Sequence, residues 1–219
     1  MKYSILIPVY NENSTIYSLI SELENLFSVP IIVVDDGSEK VLKNQSNLKN
    51  LHILRNEKNT GKGHSILKGL KYSSSLNCTH TITIDGDGQH NPKNIQRFIG
   101  LGESYDLILG ARQIKKPMPF HRRLSNRITS FLISKVSGFK IHDSQSGFRM
   151  YRNAILENIN FNEKRFQFES EIFFKIRKST NIKEVPIDLI YNDKKSHINN
   201  TIDTLRFVRL IFREIFYGK

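Results

Sequence analysis

Two aspartates separated by one glycine, Asp85-Gly86-Asp87, are the sharpest chemical signal in the chain. Carboxylates two residues apart on a turn can face one hard cation, and Gly86 and Gly88 let the backbone come close. Oxygen donors of this kind suit Mg²⁺ or Mn²⁺, which keep coordination positions for substrate phosphates. Gln89 or His90 would complete the shell. The competing reading is an Asx-rich turn that satisfies its own backbone. A second acidic pair, Asp35-Asp36, precedes Gly37-Ser38. One of its carboxylates can accept from a base or a ribose while the other caps the turn. Glu12 either meets a ligand or serves only as a helix N-terminal carboxylate. Asn59-Thr60-Gly61-Lys62-Gly63 sets glycines and a lysine at the start of a helical pattern, an arrangement that suits anions. It lacks the GxxxxGK[ST] spacing of a P-loop. Asp143-Ser144-Gln145-Ser146-Gly147-Phe148-Arg149 gathers an acid, two hydroxyls, a glycine and an arginine. Arg112, Arg122, Arg123, Arg127 and Arg149 offer forked donors for phosphate oxygens, and Arg112 and Arg149 stand out by their context.

Positioning these groups requires a scaffold, and the apolar pattern supplies one. Lys2–Val9, residues 30–34, Thr81–Ile84 and Leu107–Leu109 are short runs rich in Ile, Val and Leu, bounded by turn residues. Such runs read as buried strands of a parallel sheet. Between them, Ile16, Leu19, Ile20, Leu23, Leu26 and Phe27 recur at helical spacing, as do Ile66, Leu67 and Leu70 within His64–Tyr72. Alternating strand and helix predicts an α/β fold with right-handed crossovers over residues 1–110. Farther on, Leu124, Ile128, Phe131, Leu132 and Val136 predict a helix after the basic loop Lys115–Arg123. Phe168–Lys178 predicts another helix, and Val185–Tyr191 a strand. Ile202, Leu205, Val208, Phe212 and Ile215 mark a C-terminal helix with Arg206, Arg209 and Arg213 opposite. Its apolar face either packs on the sheet or lies in an anionic membrane interface. Ligands of an open α/β sheet bind beyond the carboxyl ends of its strands. That rule selects Pro8–Glu12, Asp35–Ser38, Asp85–His90 and Gly110–Arg112.

Composition limits the classes. The chain has 219 residues, 38% hydrophobic and 25% charged, which excludes a disordered, collagenous or coiled-coil protein. One cysteine, Cys78, excludes a disulfide-built scaffold. The apolar runs fall short of the roughly 18 residues that span a bilayer, and Met1–Val9 is too short for a signal peptide, so the cytoplasm is the expected address. The net charge is +12, with 11 basic and 11 acidic side chains in residues 1–110 and 22 against 10 in residues 111–219. The second half is therefore an anion attractor. Nucleic acid is one candidate partner, but Trp is absent, no nucleic-acid motif is found, and the acidic strand ends oppose it. A sugar-nucleotidyltransferase would need a Gly-rich, basic loop after the first strand, which is missing.

Taken together, PVYNE (8–12), VVDDGS (33–38), RNEKNTGKGHSILKG (55–69), DGDGQH (85–90), GAR (110–112) and DSQSGFR (143–149) resemble the family-two glycosyltransferases of the GT-A fold. Residues 167–173 and KKSH (194–197) are looser matches. The likeness is greatest to the dolichyl- and polyprenyl-phosphate sugar synthases. The resemblance implies a GT-A-type, Rossmann-like fold, with a mixed, mainly parallel sheet flanked by helices. It also implies one domain over 1–219, with a nucleotide-sugar half (1–110) and an acceptor half (111–219). By the same resemblance, Pro8, Tyr10, Glu12 and Asp36 hold the nucleoside of a UDP- or GDP-linked sugar. Lys62 and Lys195 join that site, with Lys194 and His197 closing over the diphosphate. Asp87 and Gln89 hold Mg²⁺ or Mn²⁺, Asp85 touches the ribose of the nucleotide sugar or the metal, and Asp87, Arg112 and Arg149 form the catalytic set. Arg112, Arg122, Arg123, Arg127, Ser146 and Arg149 receive the acceptor phosphate. The implied reaction is inverting transfer to a polyprenyl phosphate by a peripheral protein at the cytoplasmic membrane face. A glycan hydroxyl is the alternative acceptor, and it would need a base such as Glu169 or Asp143.

Overall fold

The runs of branched aliphatic residues form the centre of the sheet. β1 (Tyr3–Val9) and β2 (Ile31–Asp35) pair in parallel, with Ile5 opposite Ile31 and Val9 opposite Asp35. Side chains alternate across β1: Ile5, Ile7 and Val9 join one core, and Leu6 joins the other. Both faces are thus covered, as continuous apolar strands demand. In this computed structural model, residues 1–12, 14–44, 48–112, 120–188, 190 and 200–217 are described, side chains included except for 120–123, 200 and 201.

The remaining elements follow in chain order. α1 (Ile16–Leu26) precedes β2; β3 (Leu51–Arg55), α2 (Lys62–Ser75), β4 (His80–Thr83), α3 (Ile95–Ile99) and β5 (Leu107–Arg112) come next. Then come α4 (Phe120–Ser137), β6 (Arg149–Arg152), α5 (Phe168–Lys175), β7 (Ile182–Ile187) and α6 (Asn200–Tyr217). They build one seven-stranded sheet in the order β3-β2-β1-β4-β6-β5-β7. β6 runs antiparallel to β4 and β5, and the other neighbours are parallel. The mixed, mainly parallel sheet flanked by helices is the fold expected from the sequence.

The chain moves outward from β1 through β2 and β3, then returns by α2 to β4 on the other side of β1. That reversal opens a crevice at the carboxyl ends of β1 and β4. β6 enters the sheet from the opposite direction, which brings residues 143–148 to the same rim.

Three elements were not read from the sequence: β3, α3 and β6. β3 is a five-residue edge strand with an interrupted apolar pattern, and β6 (RMYR) begins and ends in arginine. β6 is recognisable only through its partners. The strand expected at Val185–Tyr191 lies three residues earlier, at Ile182–Ile187. Pro186 is tolerated there because β7 is an edge strand.

α6 turns its apolar stripe away from the sheet. Its apolar residues Ile202, Leu205, Val208, Phe212 and Ile215 are all exposed, Leu205 by 66%. The inward side carries buried Leu210, Ile211 and Glu214, with Arg206 and Arg213 partly buried. The reading in which the apolar stripe packs on the sheet is therefore overturned. Among the described residues no helix is long and apolar enough to cross a membrane.

Candidate active site

Each strand end delivers its residues to the rim by a local device. After β1, Asn11 takes a left-handed conformation (φ 58°) and its amide donates to Ser38 Oγ at 2.9 Å. This ties the Tyr10–Glu12 turn to the turn after β2. Tyr10 is about one-third exposed and Glu12 half-buried beside it. Thr15 Oγ1, at the start of α1, donates to Gly86 O at 2.7 Å and so locks the Asp85–Asp87 turn to the first helix.

Asp35 and Asp36 are both internal. Asp35 Oδ1 caps the amide of Ser38 at 2.9 Å, and Arg55 pairs with its other oxygen. Asp36 Oδ1 accepts from Asn56 Nδ2 (2.8 Å), the Thr60 amide (3.0 Å) and Thr60 Oγ1 (2.7 Å), while Oδ2 accepts from the Gly61 amide at 2.7 Å. Burial alone would raise the Asp36 pKa; the hydrogen bonds from Asn56, Thr60 and Gly61 outweigh it and hold it below the ordinary value. The expectation that Asp36 holds a nucleoside is corrected. With four donors on it and 3% of its surface exposed, its work is to bind the Asn59–Gly61 loop.

At the end of β4 the electrostatics concentrate. Lys62, in the first turn of α2, sits 2.7 Å from Asp85 Oδ1 and 2.9 Å from Glu169 Oε1. His90 Nε2 lies 3.4 Å from Asp85 Oδ2, and its ring packs 5.1 Å from that of Phe148. Burial would depress the Lys62 pKa, but the charges of Asp85 and Glu169 raise it well above the ordinary value. Burial would raise Asp85, but Lys62 and His90 hold it far below the ordinary carboxylate range. Asp87 goes the other way: burial, and then the charge of Asp85, raise its pKa. Its Oδ1 accepts from the Gln89 amide at 2.9 Å. Two neighbouring carboxylates are thus tuned apart, one held ionised and one resisting its charge.

Gly147 makes this packing possible. A Cβ at that position would stand 2.5 Å from Lys62 Nζ and 2.7 Å from Asp85 Oδ2. The sequence offered no sign of this role beyond a glycine in a polar run. Nor did it show that Glu169, on α5, would share Lys62 with Asp85.

Across the rim, Arg112 forms a forked pair with Asp143, both N–O distances being 2.7 Å, and its amide also donates to Asp143 Oδ2. Burial would raise Asp143 and lower Arg112, but their mutual pairing prevails and moves each toward its charged form. Glu184 on β7 accepts from the amides of His142 (2.8 Å) and Asp143 (3.0 Å), which fixes this loop.

Arg149 requires a correction. It is fully buried, and its guanidinium donates to the carbonyls of Ser144, Ser146 and Glu169, each at 2.8 Å. Its plane lies over Phe173 at 5.3 Å. It braces the 144–146 loop against α5 and presents nothing to a ligand. Ser146 is buried as well, its hydroxyl without a partner among the described residues. Glu171 is internal too, accepting from the Asn162 and Glu163 amides and from Arg213. Arg127 is exposed on α4. The side chains of Arg122 and Arg123, and residues Lys194, Lys195 and His197, lie outside the described set.

The structure therefore brings Tyr10, Glu12, Lys62, Asp85, Asp87, Gln89 and Arg112 to one rim, and turns Asp36 and Arg149 inward. Residues 4–159 match the model of Glycosyl transferase family 2. The chain belongs to the family 2 glycosyltransferases. Among relatives, this glycosyltransferase is 32% identical to the UDP-N-acetylglucosamine–dolichyl-phosphate N-acetylglucosaminyltransferase of Methanococcus voltae, over 86% of each chain. It is 28% identical to the dolichol-phosphate mannosyltransferase of Pyrococcus furiosus, over 85% of this chain and 56% of that protein. A solved structure with the same fold is glucosyl-3-phosphoglycerate synthase of Mycobacterium tuberculosis in complex with Mn²⁺, UDP and glucosyl-3-phosphoglycerate. It has TM-score 0.72 and 16% identity, over 98% of this chain and 78% of that one. The enzyme is thus a glycosyltransferase that resembles polyprenyl-phosphate sugar synthases.

A divalent cation fits the rim chemically. Its donors are hard oxygens, and the charge that Asp87 resists beside Asp85 is what a cation would relieve. Among the described residues no three His, Cys, Asp or Glu side chains are grouped to hold an ion by themselves.

Proposed function

We propose that this enzyme transfers a sugar, with inversion, from a nucleotide-diphosphate sugar to a polyprenyl phosphate at a membrane surface, with the help of Mg²⁺ or Mn²⁺. The observation that carries this reading is the convergence at one rim of Asp85, held between Lys62 (2.7 Å) and His90 (3.4 Å), the Asp87 turn, and the forked Arg112–Asp143 pair. Residues 1–110 hold the donor and residues 111–219 the acceptor. Pro8, Tyr10 and Glu12 line the nucleoside end. Asp87, with Asp85 and Gln89, would hold the cation, which would stabilise negative charge on the leaving diphosphate. Lys62 keeps Asp85 ionised and in place. Arg112, with Arg122, Arg123 and Arg127, receives the acceptor phosphate, and Lys195 closes over the donor.

The bond change is a single displacement. An acceptor phosphate oxygen forms a bond to the anomeric carbon as the bond to the diphosphate oxygen breaks, releasing the nucleoside diphosphate. A phosphate monoester has a second pKa near 6 and is already anionic at neutral pH, so it needs alignment more than a base. The two carboxylates suited to deprotonate a hydroxyl acceptor are otherwise engaged. Glu169 pairs with Lys62, and Asp143 is held ionised by Arg112. That favours the phosphate acceptor. Membrane action is supported by the exposed apolar residues of α6 and by Leu124, Ile128 and Phe131 on α4, within the half that carries the net positive charge.

The test is incubation with labelled UDP- and GDP-sugars, Mn²⁺ or Mg²⁺, polyprenyl phosphate and extracted glycans. Label is expected in the lipid extract and is expected to vanish on chelation. Label only in the glycan fraction would remove the lipid-phosphate acceptor, and undiminished transfer after chelation would remove the metal.

A further inference from the structure

Behind the rim, a pocket of about 450 Å³ opens between α6 and residues 162–167. The segment has two sides. Phe166 faces the candidate active site, its ring 6.0 Å from Lys62 Nζ, while Lys164, Arg165 and Gln167 line the pocket. The segment is held rigidly. Lys164 O accepts from the His64 amide at 3.0 Å, and Gly61 lies so close that an added Cβ would stand 2.4 Å from that oxygen.

Five cations line the pocket: Lys164, Arg165, Arg206, Arg209 and Arg213. Two are neutralised internally. Arg206 pairs with Asp203 at 3.1 Å, and Arg213 with Glu163 (3.0 Å), Glu171 (2.9 Å) and Glu214 (3.1 Å). Lys164, Arg165 and Arg209 have no carboxylate partner among the described residues. Counted with Asp203, Glu163, Glu171 and Glu214, the five cations still leave a positive balance, and the three outside ion pairs offer their donors to an anion with several oxygens.

Gln167 adds an independent observation. Its Nε2 donates to Asp203 O at 3.2 Å and to Asp203 Oδ1 at 3.3 Å, two acceptors that fix which way the amide points. Its Oε1 is buried and has no hydrogen-bond partner among the described residues. A buried acceptor left unmade is costly, and the dianionic phosphate of an ester, fully deprotonated above about pH 7, cannot relieve it because it has no proton to give. A ligand hydroxyl can.

We infer that this pocket binds a phosphate ester bearing free hydroxyls, that is, a phosphorylated polyol. Lys164, Arg165 and Arg209 take the phosphate, and a hydroxyl donates to Gln167 Oε1. Such a group comes either from a lipid headgroup, since α6 also carries the exposed apolar residues Leu205, Val208 and Phe212, or from a soluble polyol phosphate.

The experiment is calorimetric titration of the full chain, at about pH 8 and one ionic strength, with glycerol 1-phosphate and with methyl phosphate, an ester without a hydroxyl. Glycerol 1-phosphate is expected to bind about tenfold more tightly, the worth of one well-made hydrogen bond. Lys164→Glu and Arg209→Glu alter exposed side chains and leave folding intact; each is expected to weaken both ligands at least about tenfold. Gln167→Met is expected to abolish the preference while retaining phosphate. Equal affinity for the two ligands, or charge reversals without effect, would overturn the inference. Asp87→Ala, which disables the donor site, is expected to leave this binding unchanged; its loss would place the ligand in the active site instead and would also overturn it. Repeating the titration on protein bound to phosphatidylglycerol–phosphatidylcholine vesicles separates the sources. Blocked uptake of glycerol 1-phosphate identifies a headgroup as the occupant, and retained uptake a soluble ester. Transfer activity is measured in parallel, so failure of the pocket and failure of the proposed reaction are read separately.

Discussion

Asp36, Asp85, Asp87 and Asp143 are chemically the same side chain, and the donors around each give it a different task. Asp36 is covered by four donors from its own chain, whereas Asp87 has its charge disfavoured by burial and by Asp85. Replacing each by alanine should therefore have opposite consequences. Asp87→Ala is expected to reduce transfer by at least about 100-fold, an effect of the size expected when charge stabilisation at a leaving group is lost. Its melting temperature should equal or exceed that of the wild type, as followed by circular dichroism. Asp36→Ala leaves buried donors without an acceptor and is expected to cost about 2–4 kcal/mol in denaturant unfolding. Arg149→Leu strands three buried carbonyls and should likewise appear as lost stability. Had Arg149 been an acceptor ligand, the variant would instead keep its stability and lose affinity for polyprenyl phosphate.

Elements matter here through close approaches between them. The 143–148 loop, α2 and the end of β4 meet around Gly147, where even a methyl group would clash with Lys62 and Asp85. Gly147→Ala is expected to push Lys62 off Asp85 and to lower transfer at least about tenfold, with the fold retained; a variant with unchanged turnover would show that this ion pair is dispensable. α6 makes a different point. An amphipathic period specifies that two faces exist and leaves open which of them turns inward. Here Leu210 and Ile211, with the ion-paired Arg213, face the protein, and the outer stripe is apolar. Leu205→Glu and Phe212→Glu should leave the melting temperature within about one degree, since both side chains are exposed and surface substitutions are near neutral. In flotation assays the same variants should lose binding to anionic vesicles.

For the whole molecule, charge governs the response to acid. The pKa values of Asp36, Asp85 and Asp143 are held below the ordinary carboxylate value, despite burial that opposes it. Groups of this sign contribute stability that is fully present above the unfolded value, about 4, and is lost as pH falls through the folded values. Asp87 has the opposite sign: its contribution is present at low pH and lost as pH rises through its raised folded value. Loss of the three lowered groups' contribution should make the melting temperature fall below about pH 4, with Asp87 opposing them. Asp87→Asn should stabilise the protein at pH 7, and the gain over wild type should shrink in acid. A melting curve that is constant down to pH 2 would contradict the tuning inferred at the rim.

Much of this was written in the order of residues. The aliphatic runs and their helical neighbours determine an α/β sheet, because a strand covered on both faces must be apolar throughout. The turn residues after those runs determine where the chemistry collects, because carboxyl ends of parallel strands share one edge. The DGDGQH and GAR motifs and the location of the net charge were legible for the same reason. What only the tertiary structure decided is which polar groups remain available to a ligand. Burial and partners assigned Asp36 and Arg149 to the interior, gave Lys62 to Asp85 and Glu169 together, and turned the apolar stripe of α6 outward. Those outcomes depend on contacts between residues far apart in the chain, such as Lys62 with Glu169 and Arg213 with Glu171. No local pattern records them.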